Sequence, residues 1–158
     1  MRGRTLRLLL EIALLSLLLT ALWLAGGQDA YEAFFAGTAR PLLDALGVHA
    51  LPDSPARRRF VNLVPFLVLM LATPGLPWRR RLGGILLGLP LLFLCHVGLV
   101  AVEALSHTAR RPTGDAFSTL LPAALFADAL PFVLWALFAA DVLVGIVRAR
   151  GPRPGPHQ

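Results

Sequence analysis

The chain has 158 residues, 56% of them hydrophobic and only 15% charged, with a formal net charge of +6. A composition this apolar excludes a disordered chain and does not suit a small soluble domain. The basic excess would suggest a nucleic-acid binder in a soluble protein, but every Lys or Arg position here is an arginine and most of them flank long apolar stretches, so no nucleic-acid partner is expected.

The apolar stretches Leu8 to Ala25, Phe60 to Leu76, Leu82 to Leu105 and Phe117 to Val147 each approach or exceed the roughly 17–25 residues that cross a hydrocarbon core as helix. They predict an all-α integral membrane protein, a four-transmembrane-helix bundle forming a single domain over residues 1–150. The spans are placed at about 8–26, 60–77, 82–105 and 117–147. Membrane lipid is the first partner this implies.

In the first segment, Arg2, Arg4 and Arg7 precede the apolar run, and Ala25, Gly26 and Gly27 follow it. That order also fits a secretory signal, but the run exceeds the usual 7–15-residue apolar region of one, which favours an uncleaved anchor. Glu11 lies four residues after Arg7 and is expected to pair with it near the membrane surface.

Residues 28–59 form the longest polar stretch, read as an outer amphipathic segment. Asp29 is expected to cap a short helix carrying Tyr31, Phe34 and Phe35, and Pro41 to open another carrying Leu42, Leu43 and Leu46. The run Leu51-Pro52-Asp53-Ser54-Pro55 reads as a closing turn. A structural lid over helix ends is favoured over a binding cap.

In the third span, Gly84, Gly88, Leu91, Cys95, Gly98 and Val102 fall on one face at 100° per residue, and Gly84 and Gly88 have small-xxx-small spacing. This face is expected to be a helix-packing seam. Cys95 is then a small packing residue, and its neighbour His96 points about 100° away, which disfavours a nucleophile and base pair. His96 and Glu103 share a face beside the seam, and ionisable residues within a span count as functional candidates. Against that stands a neutral His96 hydrogen-bonded to another helix, with Glu103 among outer headgroups.

The fourth stretch is long for one span. Pro122 and Pro131 predict kinks, with the spanning helix at about Leu130 to Arg148 and Asp128 either capping its start or joining His96 in an outer polar pocket. Asp141, one heptad before Arg148, is expected to pair with an arginine at the inner surface. The tail 151–158, rich in proline, is expected to be disordered.

The arginines also orient the chain. With the first residues inside, nine arginines (2, 4, 7, 79, 80, 81, 148, 150 and 153) lie on the inner side and six (40, 57, 58, 59, 110 and 111) on the outer. This places both termini in the cytoplasm, with a bacterial cytoplasmic membrane as the expected location.

The arginine cluster Arg57-Arg58-Arg59, the span Phe60-Val61-Asn62-Leu63 through Thr73-Pro74, the turn Trp78-Arg79-Arg80-Arg81 and the small-residue third helix together resemble the central hairpin of the exosortase and archaeosortase superfamily. The resemblance covers about half the chain and is closest to small exosortase-associated membrane proteins of the exosortase H-associated type. Exosortases are cysteine transpeptidases, whereas the corresponding stretch here offers Asn62 and no cysteine, and His96-Val97-Gly98-Leu99 stands where the family shows Asn-x-x-Arg. The resemblance therefore implies an accessory or a degenerate relative, unable to perform sorting catalysis alone and assisting a partner exosortase-type transpeptidase in protein sorting; no catalytic or metal-ligand spacing stands out in the sequence, and no cofactor is expected.

Two alternatives use the same polar residues. A small transporter or channel subunit would line a hydrated path with His96, Glu103 and Asp128, though internal repeats are missing. A membrane enzyme or binder for a lipid or polyprenyl phosphate would use Arg57, Arg58 and Arg59 near Asn62 as a phosphate clamp. The same arginines serve equally as a solvated span boundary, the version favoured here.

Overall fold

The computed structural model describes residues 2–48, 55–108 and 116–150, and the regular structure among them is helical throughout. Helix α1 spans Arg2–Leu22, α2 Gln28–Ala45, α3 Leu63–Ala72, α4 Trp78–Thr108, α5 Ala116–Phe138 and α6 Ala140–Arg150. A π-type bend, Trp23–Gly27, joins the first two, and a 3₁₀ segment, Pro55–Asn62, leads into α3. Three stretches are long and apolar enough to cross a membrane, Leu6–Ala45, Trp78–Ser106 and Leu121–Phe138, with Arg59–Ala72 a shorter apolar helix.

Helix α3 lies at the centre because it is apolar on every side. Leu63, Val64, Phe66, Val68 and Met70 are all buried, and α1, α4 and α5 each pack against it. The order of contacts fixes direction. Gly88 of α4 meets Phe66 and Gly84 meets Met70, so α4 runs antiparallel to α3. Helix α5 runs parallel to α3, since Ala127 lies beside Asn62 and Trp135 beside Thr73. Helix α1 runs antiparallel to it, since Leu14 and Leu18 share a cleft with Leu71 at one end while Leu19 and Leu22 share a groove with Leu63 and Leu67 towards the other. The assembly thus has two ends, one marked by Arg59 and the other by Arg80.

Several sequence expectations are corrected at the level of helix boundaries. The span placed at 60–77 is α-helical only from Leu63 to Ala72, because Thr73 precedes Pro74 and takes an extended conformation with ψ 113°. Helix α2 is one helix through Pro41, and its first residues are capped by no side chain, Asp29 lying inside the first turn. The stripe Phe35, Ala39 and Leu43 explains this continuity. Spaced four apart, all three are buried against α4 and the 3₁₀ segment, and that burial outweighs one lost backbone bond at proline. The turn expected at 51–55 falls outside the described residues except for Pro55, as does the tail 151–158.

The fourth stretch is likewise continuous through both prolines. Helix α5 carries Pro122 and Pro131 in its interior, and the interruption falls at Ala139 rather than near Leu130. At that point Phe138 packs onto Gly84 of α4, whose missing side chain provides the space.

The bend after α1 requires glycine. Gly26 has φ +134°, a conformation open to glycine and strained for residues with a Cβ. It turns the chain so that α2 lies against α4 and the 3₁₀ segment at the Arg59 end, where Phe35, Phe60, Val97, Val100 and Ala104 form one core cluster. A second cluster of Phe66, Met70, Leu92 and Leu134 fills the middle. Outside these, leucines of α1 and α4 such as Leu10, Leu17, Leu86 and Leu87 are exposed, forming an apolar belt of the kind that contacts membrane or partner.

Candidate functional site

The polar residues singled out in the sequence gather at the Arg59 end, and they are joined to one another in separate sets. Asn62 donates from Nδ2 to the carbonyl of Ala127 at 3.1 Å and to Asp128 Oδ1 at 3.0 Å. Arg59 pairs with the other Asp128 oxygen. The reason lies in the sequence of α5. Pro131 has no amide proton to give the carbonyl of Ala127, four residues earlier, and the Asn62 amide takes its place. Asp128 therefore caps no new helical start; it anchors α5 to the 3₁₀ segment.

His96 belongs to a different set. It is 1% exposed, and its Nδ1 shares a 2.8 Å hydrogen bond with the Tyr31 hydroxyl of α2. Phe60 lies against the imidazole with ring centroids 4.8 Å apart, and Tyr31 meets it edge-on. Phe35 and Phe93 extend the aromatic wall. An imidazole taken out of water needs a polar partner, and Tyr31 brings one with an apolar ring attached. The alternative that joined His96 with Asp128 in one outer pocket gives way to these two separate ties.

Glu103 is also 1% exposed, facing the interior of the protein rather than a headgroup region. Arg57 approaches Glu32 of α2 at 3.9 Å, and Glu32 also accepts from Gln28 at 3.0 Å. The side chain of Arg58 lies outside the described residues. With Arg57 and Arg59 each facing a carboxylate, the two described members of the proposed phosphate clamp already have anionic partners.

The packing seam on α4 follows a different row from the one expected. Gly84 and Gly88 are buried, and a Cβ on either would overlap Met70 or the Phe66 ring. From there the buried positions run Leu92, His96 and Val100, every fourth residue, while Leu91 is exposed and Gly98 has open space around it. Rows of i, i+4 residues are inclined to a helix axis, so neighbours that cross α4 at an angle follow that row rather than a line parallel to the axis. Cys95 is half-buried at the margin of the aromatic cluster. The glycine contact is thus internal, made with α3 and α5.

Two features were not legible beforehand. At the Arg80 end, Thr73 is a hub: Trp135 donates to its hydroxyl at 2.7 Å, Arg81 Nη2 to its carbonyl at 2.9 Å, and the hydroxyl itself donates to the Leu69 carbonyl. Arg80 pairs with Asp141 beside it. The second is a groove of about 720 Å³ between α1 and α4, backed by α3 and crossed by α2, with Leu22, Trp23, Phe34, Leu67 and Phe93 among its walls. Its lining is almost wholly apolar. Among the described residues, no three His, Cys, Asp or Glu side chains are gathered to hold a metal ion. No family model, curated protein or solved structure matches the chain.

Proposed function

We propose that the chain is an integral membrane protein of four spans, with both termini cytoplasmic, serving as a non-catalytic accessory to an exosortase-type protein-sorting system. The observation that supports a non-catalytic role is the state of the polar site. Asn62, Arg59 and Asp128 are bonded to one another, and His96 to Tyr31, so these groups hold α2, the 3₁₀ segment and α5 together. Asn62 brings an amide to the position where the resembled transpeptidases bring a thiol. An amide does not serve as their nucleophile. The exosortase connection itself rests on the residue resemblance from Arg57 to Glu103.

Membrane insertion is supported by helix length and by the exposed leucines of α1 and α4. Association with a partner falls to such outward faces, because Gly84 and Gly88 are filled from within. The experiment is reconstitution of the purified chain, alone and with an exosortase, while cleavage of a substrate bearing a C-terminal sorting signal is followed. Cleavage should require the exosortase and be enhanced by this chain. Cleavage by the isolated chain, or the same rate with and without it, would overturn the accessory role.

A further inference from the structure

At the Arg80 end, a second cleft opens between α1 and α3, of about 430 Å³. Leu14, Leu15, Leu18 and Leu71 form its apolar walls, and Thr73 and Arg81 stand at its polar end. Glu11 also lines it, but Arg7 pairs with that carboxylate at 3.0 Å. Arg80 is matched by Asp141. Arg81 has no carboxylate partner among the described residues; one guanidinium nitrogen donates to the Thr73 carbonyl, which fixes the group at the cleft. Its Nε is withdrawn from solvent and meets no acceptor among the described residues.

From this geometry we infer that the cleft binds an anionic phospholipid, the phosphate facing Arg81 and one acyl chain lying along the leucine slot. An unmatched guanidinium beside an apolar channel recognises both halves of such a molecule. A planar guanidinium suits phosphate oxygens, and leucine walls suit hydrocarbon. Juxtamembrane arginines attract anionic headgroups in general, and neighbouring Arg79 adds to that field. What distinguishes this site is the slot, which gives the lipid a fixed position. The inference rests on the membrane-spanning reading and is independent of the sorting role.

Trp135, whose indole bonds to Thr73, reports on the cleft. With Trp23 and Trp78 replaced by phenylalanine it is the one remaining tryptophan. The full chain in vesicles is titrated with brominated phosphatidylglycerol or brominated phosphatidylcholine, and quenching of Trp135 is read. The anionic lipid should quench at about fivefold lower mole fraction, the scale of one arginine acting near an anionic headgroup. Arg81→Gln should abolish the preference, and Arg81→Lys should retain part of it. Equal quenching by the two lipids, in a chain that floats with the vesicles, would overturn the inference while leaving membrane insertion standing. Loss of the preference on adding millimolar inorganic phosphate would overturn the lipid assignment in favour of a free anion site. A chain that fails to float would instead overturn the membrane reading beneath it.

Discussion

Asn62 and Ala127 lie 65 positions apart in the chain, yet the Asn62 amide donates to the Ala127 carbonyl in place of the backbone bond that Pro131 cannot make. Ala127 is buried, an unmet carbonyl there is costly, and a side chain from a neighbouring element is one of the few remedies available. Asn62→Ala should therefore destabilise α5 by about 1 kcal/mol, the scale of such bonds within bilayers and in proteins generally. Thermal unfolding in detergent measures it. Adding Pro131→Ala should recover part of the loss, because an alanine at 131 restores the amide donor. An equal loss with or without the proline would remove Asn62 from that role.

The Arg59 and Asp128 pair should matter less. Both side chains are about 40% exposed, so water screens their attraction, and a pair of this kind contributes roughly 0.2–1 kcal/mol. Arg59→Gln is thus expected to lower the unfolding temperature less than Asn62→Ala does. A larger effect from Arg59→Gln would mean that the ion pair, and not the amide, fastens α5.

Tyr31→Phe removes the hydroxyl that meets His96 and leaves a ring nitrogen buried without its partner. The cost of such a group is about 1–3 kcal/mol. Replacing both residues with phenylalanine should return much of the stability, since Phe35, Phe60 and Phe93 already form an aromatic surround. Limited proteolysis between α1 and α3 would follow the release of α2. If Tyr31→Phe leaves both stability and proteolysis unchanged, the hydrogen bond does not hold α2 in place.

Gly88 and Gly98 should respond in opposite ways to the same change. A side chain at Gly88 meets the Phe66 ring at once, whereas Gly98 has no neighbour within contact range of a Cβ. Gly88→Leu is expected to cost at least the 1–3 kcal/mol typical of overpacking, with loss of monodisperse protein on size exclusion. Gly98→Leu should leave stability nearly intact. A comparable loss from both substitutions would restore the straight seam expected from helical geometry alone.

The apolar helices were readable because length and composition decide them before any tertiary contact is known. Three of the four runs form helices long and apolar enough to cross a membrane, while the run from Phe60 forms a shorter one. What the sequence withheld were the pairings between elements. Nothing local connects Tyr31 to His96, or Thr73 to Trp135, and both pairs lie more than sixty residues apart. Proline was misleading for a related reason: Pro41 and Pro131 read as breaks, but burial of the Phe35 stripe and the Asn62 amide carry the helices through them. The α4 seam was half legible. Gly84 and Gly88 mark where helices approach, while the direction in which the contact continues depends on crossing angle, which one helix cannot reveal.

Topology gives the last prediction. Alternating helix directions place Asp44, at the end of α2, and Pro77, in the turn before α4, at opposite ends of the assembly. If the chain spans a membrane with the arginine-rich Trp78-Arg79-Arg80-Arg81 turn inside, these two positions face different compartments. Single cysteines at Asp44 or Pro77, each in a Cys95→Ser background, are treated in intact cells with a membrane-impermeant maleimide. Asp44→Cys should label from outside, and Pro77→Cys only after the membrane is opened. Labelling of Pro77→Cys alone would invert the orientation, and labelling of both in intact cells would show that α3 does not separate two compartments.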